Sequence, residues 1–502
     1  MNIKRAKEEI KNTIEAYLAK NEYGEYVIPA IRQRPVLLLG APGIGKTQIM
    51  EQIAQECQVG LVSYTITHHT RQSAIGLPFI SKKEFGGKEY AITEYTMSEI
   101  VASVYEKMEK TGRKEGILFI DEVNCVSETL APAMLQFLQC KTFGNHAIPG
   151  GWIIVAAGNP PEYNKSVREF DVVTMDRVKK IEVEPDYQVW KAYACKEQVH
   201  PAVISYLDTR HQHFYRMETT VDGRAFATPR GWEDLSRMLS VYESLNKKMD
   251  RDVVIQYIQH EKIAKDFANY LELYEKYQMD YQLEKVFEGV IGESLAKKAA
   301  HASFDERLSV VGLLISRCTE QFRKACFQEQ IVEMLFENLR EAKEGMLGAW
   351  RAQPFVFFED MVKQFEHTWN QMREAEILSR GQNRVYHQVM SRLETYRKGL
   401  DESCEADGAL AFERIKTFFA QDRGQLEADQ EKGGRMLEYA FDFMEAVFPH
   451  GQEMVIFITE LGMNYYSVKF LQEYDCERYF KYNKNLLFED SSRRIEARLR
   501  EL

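Results

Sequence analysis

Residues 40–47 read GAPGIGKT and fit the spacing of a phosphate-binding loop, G-x-x-x-x-G-K-[ST]. The eight positions are Gly40, Ala41, Pro42, Gly43, Ile44, Gly45, Lys46 and Thr47. The glycines let the backbone curl so that its N–H groups point inward at an anionic phosphate. Lys46 is expected to reach the β- and γ-phosphates, and the Thr47 hydroxyl to ligate Mg²⁺. The context agrees: apolar VLLL (36–39) precedes the loop and QIMEQIA follows with helical spacing.

A second stretch, GILFIDEVN (116–124), ends an apolar run on two adjacent acids. Like charges that close repel and resist burial, so a positive partner is expected beside them. Asp121 is expected to hold the magnesium and Glu122 to polarise an attacking water, which gives each acid its own task. Asn159, in AAGNPPEYN (156–164), follows another apolar run, and its neutral amide can align that water and touch the γ-phosphate. Two arginines complete the set: Arg177 in TMDRVKKIEV and Arg230 in TPRGW. Guanidinium groups suit phosphate recognition and transition-state charge. An arginine in a first helical turn opposes the helix dipole, which points to another use for Arg230.

These residues need a scaffold. Short β-rich runs recur at 36–39, 61–66, 117–120, 152–158 and 178–183, with helical stretches between most of them. Continuous rather than alternating apolar runs fit strands buried on both faces, in a parallel sheet with covering helices. Two hairpins interrupt the alternation, one at 79–93 turning at Gly86–Gly87 and one at 141–152. From about residue 186 the pattern turns helical, with helices expected at 200–211, 227–245 and 261–277. Residues 290–502 read as helix throughout, with a break expected at EADQEKGGR (427–435). The aromatic-rich stretch 453–488 reads as the core of a helical bundle, and 488–502 as a charged amphipathic helix.

With 502 residues, several domains are expected. The net charge of -11 argues against a protein that coats nucleic acid. The eight cysteines contain no CxxC pair and read as free thiols of a reducing compartment. The amphipathic, lysine-bearing N-terminus does not read as a signal peptide, and no run approaches the ~20 apolar residues of a membrane span. A cytoplasmic location is therefore expected. His68–His69, His211 and His213 show no convincing metal spacing.

The order GAPGIGKT, hairpin, ILFIDEVNCVSETLAPAMLQFLQ, hairpin, AAGNP, MDR and TPR resembles that of the AAA+ ATPases, and among them the MoxR-like group. The resemblance runs from about residue 30 to 280. It implies an α/β P-loop core with a five-stranded parallel sheet in the order 5-1-4-3-2, an α-helical lid, and ATP with Mg²⁺ as ligands. By resemblance Asn159 is the first sensor, Arg177 the finger reaching a neighbouring subunit, and Arg230 the second sensor, acting in cis or in trans. The lid motif is TPR where SPR is commoner. The resemblance further implies a ring, usually a hexamer, that remodels or matures a protein partner, with a von Willebrand factor A domain protein among the candidates. The division expected is 1–34 as N-terminal helix and lead-in, 35–186 as nucleotide-binding domain, 187–290 as lid, and 291–502 as an all-α region without a named counterpart.

Other classes remain open at this point. An ATP-gated scaffold would assemble on nucleotide with little turnover. A nucleic-acid motor would use Lys82, Lys83 and Lys88 of the first hairpin with Lys141 and His146 of the second. A small-molecule kinase fits less well, because Glu122 suits water activation better than transfer to a bound acceptor.

Overall fold

The structure is a computed structural model and describes residues 1–68, 71–143, 145–163, 170–220, 223–281, 283–347, 354–400, 408–449 and 451–484. His69 and the terminal segment 488–502 lie outside the described residues. The chain divides into two compact units, one of Met1–Val189, Thr228–Arg230 and Gln371–Ser379, the other of Trp190–Ala227, Gly231–Asn370 and Arg380–Leu502.

In the first unit the strands are β1 (Val36–Gly40), β2 (Gly60–Thr65), β3 (Pro78–Phe85), β4 (Lys88–Tyr95), β5 (Gly116–Asp121), β6 (Thr142–Phe143), β7 (His146–Ala147), β8 (Trp152–Gly158) and β9 (Lys179–Val183). Five of them form one sheet in the order β2-β5-β8-β1-β9. Every pairing in it is parallel. Counted along the chain, that is the expected order 5-1-4-3-2. Burial explains why the strands are continuous apolar runs: Ile117, Leu118, Phe119, Ile120, Ile154 and Val155 are all at most 1% exposed or fully buried. A parallel sheet covered on both faces offers no solvent side for polar residues.

The helices Ile3–Leu18, Lys46–Glu56, Glu99–Thr111 and Ala131–Cys140 accompany this sheet. The first is capped by Asn2, whose Oδ1 accepts the Arg5 N–H at 3.0 Å. It is tied to β9 where Lys179 Nζ donates to Glu9 Oε1 and Thr13 Oγ1, both at 2.7 Å. At the opposite end of the sheet from the site, Trp152 fills the space over two strand starts. A Cβ on Gly116 would lie 2.6 Å from its ring, so any larger residue there must displace the indole. β3 and β4 form an antiparallel hairpin turning at Gly86–Gly87, both in the left-handed region, and β6 with β7 forms a second one.

The second unit is mostly helical. Its longest elements are the helices Phe304–Leu347 and Gly408–Val447, with Gln452–Met463 and Tyr465–Glu473 beyond them. Two expectations change here. The helical stretch after residue 186 contains an antiparallel hairpin, β10 (Arg216–Thr220) with β11 (Gly223–Ala227), whose register pairs Met217 with Phe226. And EADQEKGGR is no break: it runs inside the helix Gly408–Val447. The paired glycines there serve packing. A Cβ on Gly433 would meet the Phe470 ring at 3.0 Å, and one on Gly434 the Tyr474 ring at 2.4 Å. Close approach of neighbouring aromatics outweighs the ~1 kcal/mol that each glycine costs a helix. The aromatics of 453–484 divide: Phe457, Phe470 and Tyr479 are buried, and Phe470 stacks on Phe322 with centroids 4.2 Å apart, while Tyr465 and Phe480 are exposed. Lys191 is buried between Asp208 at 2.8 Å and Glu460 at 2.6 Å, joining residues before the hairpin to the helix Gln452–Met463. Among the described residues no helix is long and apolar enough to cross a membrane.

Candidate functional site

The site lies at the C-terminal ends of β1, β5 and β8, in the first unit, where parallel strands hand over to loops. β1 runs into the glycine loop, and the helix Lys46–Glu56 starts directly after it. Gly43 and Gly45 adopt left-handed backbone, with φ of 76° and 91°. Gly43 also meets another element closely: a Cβ there would sit 3.2 Å from Thr228 and 3.4 Å from the Arg230 Cβ. The Arg230 N–H donates to the Gly43 carbonyl at 3.2 Å, so this arginine is anchored beside the loop.

Lys46 is 8% exposed. Its ammonium donates to Gly40 O and Ala41 O at 2.8 Å each and to Asn159 Oδ1 at 2.9 Å. Burial pushes its pKa down to about 8; Asp121 and Glu122 act to raise it and Arg230 to lower it. A buried ammonium held by three neutral oxygens is a strong receiver for an anionic oxygen.

Asp121 ends β5. Its Oδ2 accepts from the Thr47 hydroxyl at 2.8 Å, and its Oδ1 from the Glu122 N–H at 2.9 Å. Glu122 has φ of 56°, a left-handed conformation that costs a non-glycine residue about 1–3 kcal/mol. The next peptide is pinned to β8 where Val123 N–H donates to Ala157 O at 2.9 Å. Strain held in place this way aims one side chain away from its strand. Glu122 Oε2 accepts from the Thr67 hydroxyl at 3.1 Å.

Asn159 follows β8, and its Oδ1 accepts from the Lys46 ammonium. Its position is held by Asn124, whose Nδ2 donates to Asn159 O at 2.8 Å. Asn124 is buried, and its Oδ1 has no partner among the described residues. The same oxygen would lie 2.6 Å from a Cβ on Gly158. Thr67 and Asn124 belong to the site by contact, yet no motif marks them. The signal that could find Thr67 is register: Thr65 pairs with Asp121, so a residue just past the end of β2 lies beside Glu122.

Arg177 stands apart. It ends the helix Val172–Arg177, is exposed, and hydrogen-bonds Gln139 rather than the loop or the acids. The cations that favoured nucleic acid are mostly occupied. Lys82 pairs with Glu89 at 3.1 Å, and Lys83 pairs with Glu94. Lys141 is buried, donates to Gln33 Oε1 at 3.1 Å, and is pushed down to about 8 by burial.

Residues 36–174 match the model of the ATPase family associated with various cellular activities (AAA). This stretch spans β1 to the helix after β8 and contains Lys46, Thr47, Asp121, Glu122 and Asn159, so the chain carries an AAA-family domain with the AAA+ strand order. Among solved structures, a RuvB variant from Thermotoga maritima is similar at 16% identity, over 52% of this chain and 69% of that one, with a TM-score of 0.29. A putative ATPase from Cytophaga hutchinsonii is similar at 17% identity, over 36% of this chain and 52% of that one, with a TM-score of 0.21. No curated protein matches the chain.

Proposed function

We propose that this protein is a Mg-dependent ATPase of the MoxR-like AAA+ type, which forms a ring and couples ATP hydrolysis to remodelling or maturation of a protein partner. The observation that carries the proposal is the convergence, inside one unit, of Lys46 on Asn159 and of Thr47 on Asp121, with Glu122 strained into the same strand end. The finer assignment rests on the order of the landmarks along the chain, from the glycine loop to TPR.

The donor set fits magnesium: Thr47 Oγ1 and Asp121 Oδ2 are hard oxygens 2.8 Å apart. When bound there, the ion supplies charge neutralisation at the β- and γ-phosphate oxygens. The chain's own residues do the rest. Backbone N–H groups of 43–47 receive the phosphates, and Lys46 exchanges its three neutral acceptors for phosphate oxygen. Glu122 takes the proton of the attacking water, and Asn159 aligns that water. Arg230, whose backbone is anchored beside Gly43, is the second sensor, acting in cis or in trans. Arg177 completes the site of a neighbouring subunit and stabilises transition-state charge there. We assign residues 1–34 to the N-terminal helix and lead-in, 35–186 to the nucleotide-binding domain, 187–290 to the helical lid and 291–502 to a further all-α domain. A cytoplasmic location and a von Willebrand factor A domain partner belong to the same proposal.

The test is ATP turnover per subunit over a wide range of protein concentration, with Arg177→Ala alongside. The expected result is a steep rise with concentration that the variant abolishes. Flat turnover indifferent to Arg177 would overturn the shared-site reading. Nucleotide binding with assembly but no turnover would favour the scaffold instead.

A further inference from the structure

The second unit holds an open groove of about 1310 Å³ that contains no residue of the nucleotide site. Its lining inverts the charge of the chain. Six cations, Lys285, Arg317, Arg323, Lys324, Lys432 and Arg435, face three acids, Glu284, Glu288 and Glu320, although the sequence as a whole carries 11 more acids than bases. Arg317 is taken by Glu320 at 3.4 Å and Lys324 by buried Asp429 at 2.8 Å. Lys285, Arg323, Lys432 and Arg435 have no ion pair among the described residues. The same lining holds the apolar side chains of Leu283, Phe287, Met436 and Tyr439. The walls are fixed. Gln321, buried on the helix Phe304–Leu347, donates to Asp429 O at 2.9 Å on the helix Gly408–Val447. Gly289, left-handed at φ of 82°, packs against the Tyr439 ring.

We infer that this groove docks an acidic, amphipathic segment of a protein partner. The volume exceeds the ~300–1,000 Å³ of a small-molecule pocket. The unpaired cations are spread over three elements, the helices Leu283–Val286, Phe304–Leu347 and Gly408–Val447, rather than converging on one point as they would around a phosphate. The apolar part of the lining, with Met, Phe and Tyr, has the composition of an interface centre and would be idle against a bare anion. Nucleic acid is disfavoured at range by the net charge of -11. The matching ligand is a helix or extended strand with Leu-like anchors toward the apolar lining and Asp or Glu along its edges. A rigid groove loses little order on binding it. The inference is independent of the nucleotide reading, and it gives the 291–502 region a task.

The experiment uses the full-length protein and a fluorescein-labelled helical peptide with Leu on one face and Glu on the other, followed by anisotropy. The expected result is saturable binding that weakens steeply with added salt. It should weaken at least tenfold in Lys432→Glu/Arg435→Glu, and severalfold in Met436→Ala, with nucleotide affinity unchanged in both. If the first variant fails to fold, Lys285→Glu/Arg323→Glu reads the same cations from other elements. Absence of saturation at low salt, or equal affinity in wild type and both charge-reversal variants, would overturn the docking surface while leaving the ATPase proposal standing. Displacement of the peptide by equimolar inorganic pyrophosphate would also overturn it, in favour of a phosphate site.

Discussion

The affinity of the site for ATP should fall as pH rises above about 8. Lys46 is 8% exposed, and burial holds its pKa at about 8 instead of 10.5. A phosphate against Nζ brings negative charge to that ammonium, so the nucleotide-bound state holds the proton more tightly than the free state. The state that binds more protons loses ground as pH rises. Binding is therefore at full strength below about 8 and weakens through the window from about 8 to 10.5. If bound phosphate restores the ordinary value, the whole effect is about 3 kcal/mol at 1.36 kcal/mol per pH unit, a ~300-fold rise in Kd. The nucleotide's own last phosphate proton, with a pKa of about 6, is gone before this window opens. The assay is titration with a fluorescent ATP analogue from about pH 7 to about pH 9.5 at fixed magnesium and ionic strength, with circular dichroism to verify the fold. Using Glu122→Gln holds turnover down. Lys46→Arg is the control, because a guanidinium keeps its charge across the range and its profile should be flat. A flat profile for Lys46, or an equal decline in Lys46→Arg, would refute the reasoning.

Glu122→Gln should keep ATP affinity within about twofold and lower kcat by about 10²–10⁴, since it removes a base and no phosphate contact; equal losses of affinity and turnover would place Glu122 in binding. Thr67→Val removes the hydroxyl that donates to the Glu122 carboxylate and holds its orientation, so kcat should fall by up to about fivefold, the equivalent of ~1 kcal/mol. An unchanged kcat would mean that Glu122 is aimed by its backbone alone. Gly116→Ala should destabilise the first unit by about 1–3 kcal/mol in urea unfolding, because the new methyl meets the Trp152 ring; an unchanged midpoint would show that the ring yields freely.

The sheet is legible in the sequence because two-sided burial leaves its strands no polar positions, so VLLL, ILFI and WIIVAAG stand out as unbroken runs. The loop 40–47 is legible for a related reason: few backbones other than a phosphate cradle need glycines at that spacing before a lysine. What escapes are residues whose type is ordinary and whose role comes from a neighbour in space. Thr67 and Asn124 are of this kind, one just past the end of β2 and the other in the turn after β5. Gly433 and Gly434 mislead for the opposite reason. Read locally, paired glycines end a helix; in the fold they admit Phe470 and Tyr474 to its surface. The same logic applies to the groove. Lys285, Arg323, Lys432 and Arg435 come from three helices, the last of them over a hundred residues along the chain from the first, and each alone reads as a solvated surface charge. Only packing of the helices Phe304–Leu347 and Gly408–Val447 brings them into one lining with apolar side chains in a chain that is otherwise acidic. A local reversal of sign that the chain does not neutralise with its own carboxylates carries a standing cost in self-repulsion. Partner carboxylates would remove that cost, which is why charge reversal at the groove should weaken docking at least tenfold without a matching loss of stability.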